Sequence, residues 1–222
     1  MGDIQIIDIK QREARSDEHQ PKTSNHKTIL EFGSFDCGDG YRFKQYCKNA
    51  KVYSIEACPE RYKIIKDFAK DNGIFCFNYA VADTNGETDF YQCLDPNEGD
   101  LKYGPAGSIL KRTSKHTTNW SHLSYPDPIK VKAITLDSFC EENNITNIDI
   151  LYMDVEGMEH RCFKSLTKIE PKMIYLEKHL GNEWYENGYD AKIMHEYMIN
   201  RNYLLKEDSG TDSLYVKSNF NR

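Results

Sequence analysis

Three short stretches bring together the residue types that chemistry needs. ILEFGSFDCGDG, residues 29–40, runs from an apolar segment into Gly33, Gly38 and Gly40, set among Glu31, Asp36 and Asp39. Glycine directly after a strand lets the backbone turn sharply and lets a ligand come close to it. The spacing is neither GxGxxG, which cradles a dinucleotide, nor GxxxxGK[ST], which cradles a triphosphate. Acids at a helix start repel a pyrophosphate, whereas a ligand with a positive sulfonium and a free ammonium group suits carboxylates and backbone carbonyls. S-adenosylmethionine is such a ligand. Glu56 ends the next apolar run, about 20 residues beyond the glycines, where an acid takes both ribose hydroxyls of a cofactor. LYMDVEG and YLEKH then put Asp154, Glu156, Glu177 and His179 at the ends of two further apolar runs.

Those four residues suit methyl transfer to a hydroxyl, an in-line displacement that needs a positioned acceptor and a group to take its proton. His179, with an ordinary pKa near ~6.5, is the natural proton acceptor at neutral pH, and Asp154 is the other candidate. Asp154 with Glu177 or Glu156 is also a candidate holder of a divalent cation, with Mg²⁺ the carboxylate-bound choice. No HxxxH, HExxH or cysteine pair marks a zinc site. A purely structural role for Asp154 is to cap the helix that begins in VEGMEHRCF. Glu159 and His160 read as an exposed helix face.

Positioning these side chains requires strand ends lying side by side. Strand patterns (TILEFG, VYSIEA, IFCFNYAVA, ETDFYQC, IKVKAI, IDILYM, KMIYLE) alternate with helical ones, the clearest being Pro59 to Asn72 with Tyr62, Ile65, Phe68 and Ala69 on one face. Thr135 sits where it caps the helix after IKVKAI. A further helix is expected over Tyr189 to Arg201, and NYLLKE and DSLYVK then close the chain as a hairpin. This rhythm predicts an α/β fold. Its core is a mostly parallel, Rossmann-like seven-stranded sheet, with helices on both faces and an antiparallel strand pair at the C-terminal edge. Residues 1–27 are expected to form a flexible arm, and residues 28–222 a single domain. Residues 94–128, rich in Gly, Pro and Ser and without period, are expected to form an irregular lid that binds the acceptor.

At these residues the sequence resembles the FkbM family of S-adenosylmethionine-dependent methyltransferases, a branch of the class I Rossmann-like enzymes. The resemblance runs from about Thr28 to His179. It rests on EFGSFD, SIEACPERY, NYAVADTNGETDFY, AITLDSF and LYMDVEGMEH, of which the DVEG piece after TLDSF is the most family-specific. It implies that Glu31 and Gly33 shape the methionine end of the cofactor site, with Ser34, Phe35, Asp36 and Gly38 beside it. It further implies that Glu56 takes the ribose, that Ala57 flanks the adenine, and that Ala82 and Asp83 approach the ring. Asp154 lies at the reactive end, and Ser108 of PAGSIL occupies a position resembling the family's serine-containing loop. Cys37 stands where relatives commonly have glycine.

Family members methylate hydroxyls of polyketides, sugars and glycolipids. A polar lid bearing Trp120 and His122, with His116 and Tyr125 nearby, points among these to a sugar or glycan. An amine, lipid or phosphorylated acceptor, and a non-catalytic cofactor-binding module, are the alternatives. The net charge of −6 offers no basic stripe for nucleic acid. The N-terminal stretch shows no signal peptide or membrane helix, and seven cysteines without a CxxC pair read as reduced core residues, so a cytoplasmic protein is expected.

Overall fold

The computed structural model describes residues 27–178, 183–188 and 191–221. All of the expected N-terminal arm but its last residue therefore lies outside the described residues, as do His179, Tyr189 and Asp190. Strand β1 (Thr28–Phe32) leads to helix α1 (Gly38–Tyr46), β2 (Lys51–Ile55), α2 (Pro59–Asp71) and β3 (Ile74–Phe77). Three short strands, β4 (Ala80–Val81), β5 (Gly86–Phe90) and β6 (Ile129–Ile134), bracket residues 94–128, the segment expected to form a lid, which carries α3 (Ser114–Asn119). The chain then runs through α4 (Leu136–Glu142), β7 (Ile150–Met153), α5 (Glu159–Lys164), β8 (Met173–Glu177), α6 (Ala191–Asn200), β9 (Tyr203–Asp208) and β10 (Asp212–Lys217).

The main sheet has seven strands in the order β3-β2-β1-β7-β8-β10-β9. β1 pairs in parallel with β2 on one side and β7 on the other, and β7 pairs in parallel with β8. The terminal hairpin folds back so that β10 runs antiparallel to both β8 and β9. This is the expected α/β architecture with its antiparallel edge. The order reverses at β1, so the carboxyl ends of β1 and β7 flank the switch point at which open α/β sheets bind ligands.

β1 is central because it can be buried on both faces: Ile29, Leu30 and Phe32 are fully enclosed, each contributing about 1.5–3 kcal/mol relative to exposure. α2 packs through Arg61, Ile65 and Ala69, one residue per turn. Phe68, expected on the buried face, is 43% exposed and leans against Tyr41, while Arg61 takes the inward position. Thr135 caps α4 as expected, its Oγ1 accepting from the Ser138 amide at 3.2 Å.

IFCFNYAVA is not one strand. At Asn78 the side-chain amide donates to the carbonyls of Glu56 (2.8 Å) and Ala57 (3.2 Å), closing off the end of β2. The chain beyond it joins a separate three-stranded sheet of order β4-β6-β5. No helix among the described residues is long and apolar enough to cross a membrane.

Candidate active site

The turn after β1 is shaped by a backbone contact. Gly33 adopts φ +82°, and a Cβ there would sit 1.7 Å from the carbonyl oxygen of Asp154. Glycine is required because the ends of β1 and β7 touch. Cys37 holds φ 63° at the start of α1, so a cysteine here adopts the left-handed backbone that glycine takes freely. Its buried thiol lies 3.5 Å from Ser54 Oγ.

Glu31 points away from the cleft, into the space beneath α1. It is 1% exposed, accepts from the Gly40 amide at 2.8 Å and takes a short hydrogen bond from Ser54 Oγ. Burial pushes its carboxyl up to about 8 against those two hydrogen bonds. A Cβ at Gly40 would overlap Ser54 Oγ and Glu31 Oε2, so the absence of a side chain there lets the helix start close over the acid.

The cleft lies between the carboxyl ends of the strands and residues 104–109, and it opens to solvent. Of the residues expected at a cofactor, Gly33, Phe35, Glu56, Ala57 and Asp154 line it, as does Ser108 of the lid. Glu56 is buried and accepts from the amides of Phe35 (2.8 Å) and Cys58 (2.7 Å). Burial still pushes its carboxyl up to about 7.

Other expected residues are placed elsewhere. Asp36 is exposed and accepts from the Gly38 amide at 2.8 Å, so this pair shapes the turn outside the cleft lining. Ser34 is buried beside the lining, and its Oγ has no partner among the described residues. Ala82 is covered where its amide donates to Ile134, and Asp83 pairs with Arg161 at 2.8 Å. Tyr79, Ala80 and Val81 form the wall expected of Ala82 and Asp83, because the break at Asn78 brings them there first. Trp120, 42% exposed, and exposed His122 sit edge to face on the outside of the lid, apart from the cleft lining. His116 is buried among the rings of Tyr125, Trp184 and Tyr185.

At the end of β7 and β8, Asp154, Glu156 and Glu177 each offer an oxygen within 4.8 Å of the others. Burial, a hydrogen bond with Glu177 and the charge of Glu177 raise the Asp154 carboxyl well above the ordinary range. Two carboxylates this close hold a proton between them and titrate as a unit. Asp154 Oδ1 is buried without a partner among the described residues. Glu156 sits at φ 54°, with its side chain held by the Tyr185 hydroxyl and its Oε2 3.9 Å from Arg112 Nη2. Ser108 Oγ donates to the Glu156 carbonyl at 2.8 Å, so this serine braces the acid turn.

The cap of that turn is not Asp154. Glu159, expected on an exposed face, is fully buried and accepts from the amides of Val155 (2.9 Å) and Gly157 (3.4 Å). A sequence pattern with acids at positions 154, 156 and 159 has no periodicity that separates the cap from the cleft residue. Arg112 and Tyr185 were missed because they come from irregular segments, where no period marks the inward face.

Comparison with known proteins bears on what such a cleft does. A 2-O-methyltransferase, NoeI, from Sinorhizobium fredii is 28% identical over 163 residues, covering 71% of this chain and 65% of that protein. The chain thus spans just under two thirds of this relative's length. Solved structures with partial likeness are M. capricolum TrmK with S-adenosylhomocysteine (TM-score 0.43, 12% identity, 87% of this chain and 63% of that one) and the precorrin-6y C5,15-methyltransferase of Geobacter metallireducens (TM-score 0.45, 9% identity, 87% and 81%). The model of the methyltransferase FkbM domain matches residues 33–205, and the chain belongs to that family.

Proposed function

We propose that the chain transfers a methyl group from S-adenosylmethionine to a hydroxyl of a sugar or glycan, with residues 28–222 acting as one catalytic domain under the lid of residues 94–128. The observation that carries this reading is the arrangement of acids along one cleft. Glu56 at the end of β2 and Asp154 at the end of β7 both line it, Asp154 against the Gly33 turn, and Glu177 at the end of β8 shares a proton with Asp154. The residues present suit the cofactor: among the described residues no Lys or Arg lines the cleft to call for phosphate, and Glu56 is held by two amides at the strand end expected for a ribose. Asp154 Oδ1, without a hydrogen-bond partner among the described residues, is a spare polar atom on the cleft, and Ser34 Oγ is another in the adjoining turn.

Bound there, the cofactor supplies a methyl group on a positive sulfur, which departs as a neutral thioether. The chain's own residues do the rest. Glu56 orients the ribose, Gly33 keeps the turn against β7, and the Asp154–Glu177 pair takes the proton of the acceptor hydroxyl. A carboxylate whose proton affinity has been raised by burial is a stronger base than one in water, and general-base help of this kind is worth ~10² to 10⁴ in rate. His179 remains our second candidate for the base, from its place in the sequence directly after β8 and Lys178. Trp120 and His122, on the outer lid, supply an aromatic face and a polar ring of the sort that meets a sugar. The activity of NoeI, 2-O-methyl transfer, supports oxygen as the acceptor atom. The seven free cysteines fit a cytoplasmic protein.

Incubation of the purified protein with methyl-labelled S-adenosylmethionine and a panel of sugars, glycolipids, amines and polyketides tests this. Label on a glycan hydroxyl is the expected result, and label only on an amine, lipid or polyketide overturns it. The three carboxylates within 4.8 Å favour a second reading, in which Asp154, Glu156 and Glu177 hold Mg²⁺ beside the acceptor. Loss of turnover in EDTA, restored by Mg²⁺, selects that reading over proton sharing.

A further inference from the structure

Arg61 lies in the first turn of α2, on the inward face, and is 4% exposed. A buried arginine is rare unless its charge is used. Its guanidinium carbon lies over the Phe35 ring, 3.8 Å from the centroid, and its Nη2 pairs with Glu98 Oε2 at 2.6 Å. Phe35 belongs to the turn after β1 and lines the cleft, and its amide is one of the two that hold Glu56. Glu98 belongs to the 3₁₀ turn Pro96–Leu101 at the front of the lid segment. One side chain therefore joins the glycine turn, the helix after β2 and the lid.

We propose that Arg61 is a positioning residue of the cofactor cleft, clamping Phe35 and tying the lid to the body of the domain so that Glu56 meets the ribose in place. The proposal rests on the reading of Glu56 as the ribose acid. The electrostatics agree with the geometry. Burial drives the Glu56 carboxyl up to about 7, and the Arg61 charge is what opposes this among the side chains facing it. Among the described residues, the thiols of Cys58, before α2, and Cys76, on β3, also feel Glu56, and both are pushed upward by burial and so uncharged at neutral pH. Asp154 lines the same cleft. Glu98 faces the arginine from the lid side.

A ribose diol donates hydrogen bonds, so it needs Glu56 as the carboxylate. Affinity is then full above the Glu56 pKa and falls as pH drops through it. Without Arg61 that fall begins at higher pH. If proton affinity rises tenfold, binding at pH 7 weakens about fivefold.

The test is calorimetric binding of S-adenosylhomocysteine from pH 5.5 to 8.5 to the wild-type chain, R61M, R61K and E56Q, with thermal melts to confirm folding. Expected are an acid limb near pH 7 in the wild type, the same limb moved to higher pH in R61M, and a limb restored toward 7 in R61K with weaker binding throughout, since lysine keeps the charge but lacks the guanidinium that lies over Phe35. E56Q is expected to lack the limb. Folded R61M with a limb at the wild-type position overturns the role of Arg61 and leaves the cofactor reading standing. A limb retained in E56Q overturns the assignment to Glu56. No binding by the wild type at any pH overturns the cofactor reading and this proposal with it.

Discussion

Glu31→Gln isolates the cost of burying an acid under α1. The substitution keeps size and shape, with the Gln carbonyl able to accept from Gly40 and its amide able to donate to Ser54. In the folded chain the Glu31 carboxyl is held at about 8, against an ordinary 4.5. The folded state therefore keeps a proton that the unfolded state releases. Its contribution to stability is complete below pH 4.5, declines as pH rises from there, and levels off above 8. At about 1.4 kcal/mol per pH decade the whole span amounts to roughly 5 kcal/mol, and the part between pH 5.5 and pH 8 to roughly 3 kcal/mol; relaxation of the surroundings makes these ceilings. Gln does not titrate, so the E31Q chain gains on the wild type by up to ~3 kcal/mol on going from pH 5.5 to 8, roughly 6–12 °C in Tm for a chain of this length. Glu56 and Asp154 titrate in both proteins and cancel in the difference. Urea unfolding of both proteins at the two pH values measures it. A stability difference that is the same at pH 5.5 and pH 8 refutes the reasoning, whatever its absolute size.

Asp154→Asn is expected to lower kcat by about 10² to 10⁴ while S-adenosylhomocysteine binds nearly as in the wild type, checked by labelled methyl transfer and calorimetry. Gly33→Ala forces a Cβ onto the Asp154 carbonyl at φ +82°, and we expect it to cost at least ~3 kcal/mol or to prevent folding, read by urea unfolding. Thr135→Ala removes the α4 cap and is expected to cost about 1 kcal/mol with no change in S-adenosylhomocysteine binding. Ser108→Ala frees the Glu156 carbonyl and is expected to lower kcat more than it raises the KM for S-adenosylmethionine, measured by initial rates, because the serine touches the acid turn.

The sheet was legible because period speaks for it. TILEFG, IDILYM and KMIYLE are mostly apolar, as strands covered on both faces are, and the glycines and acids at their ends mark where those faces stop. Arg61 shows where pattern fails: a helix stripe is read from apolar residues, so a charged residue that turns inward to meet Phe35 and Glu98 is assigned to solvent, and Phe68 takes its place in the reading. Glu159, read as part of an exposed helix face, fails in the same way: it is fully buried with the amides of Val155 and Gly157 as partners. Glu31, expected at the methionine end of the cofactor, is covered by α1, and its partners, the Gly40 amide and Ser54 Oγ, are ones that only the fold brings near. Asn78 is a further case, since only the nearby end of β2 explains why a run of β-forming residues breaks there.

The contact of Gly33 with the Asp154 carbonyl also bears on how such a protein diversifies. Because the spacing between the two strand ends is set by main chain against main chain, a substitution in the lid cannot alter it. With Asp154 in the role proposed, residues of 94–128 other than Glu98, Ser108 and Arg112, which reach the body of the site, are free to drift toward new acceptors while the donor turn and the base keep their register. Directed evolution aimed at that segment with those three held fixed explores new acceptors while the turn and the base stay in place.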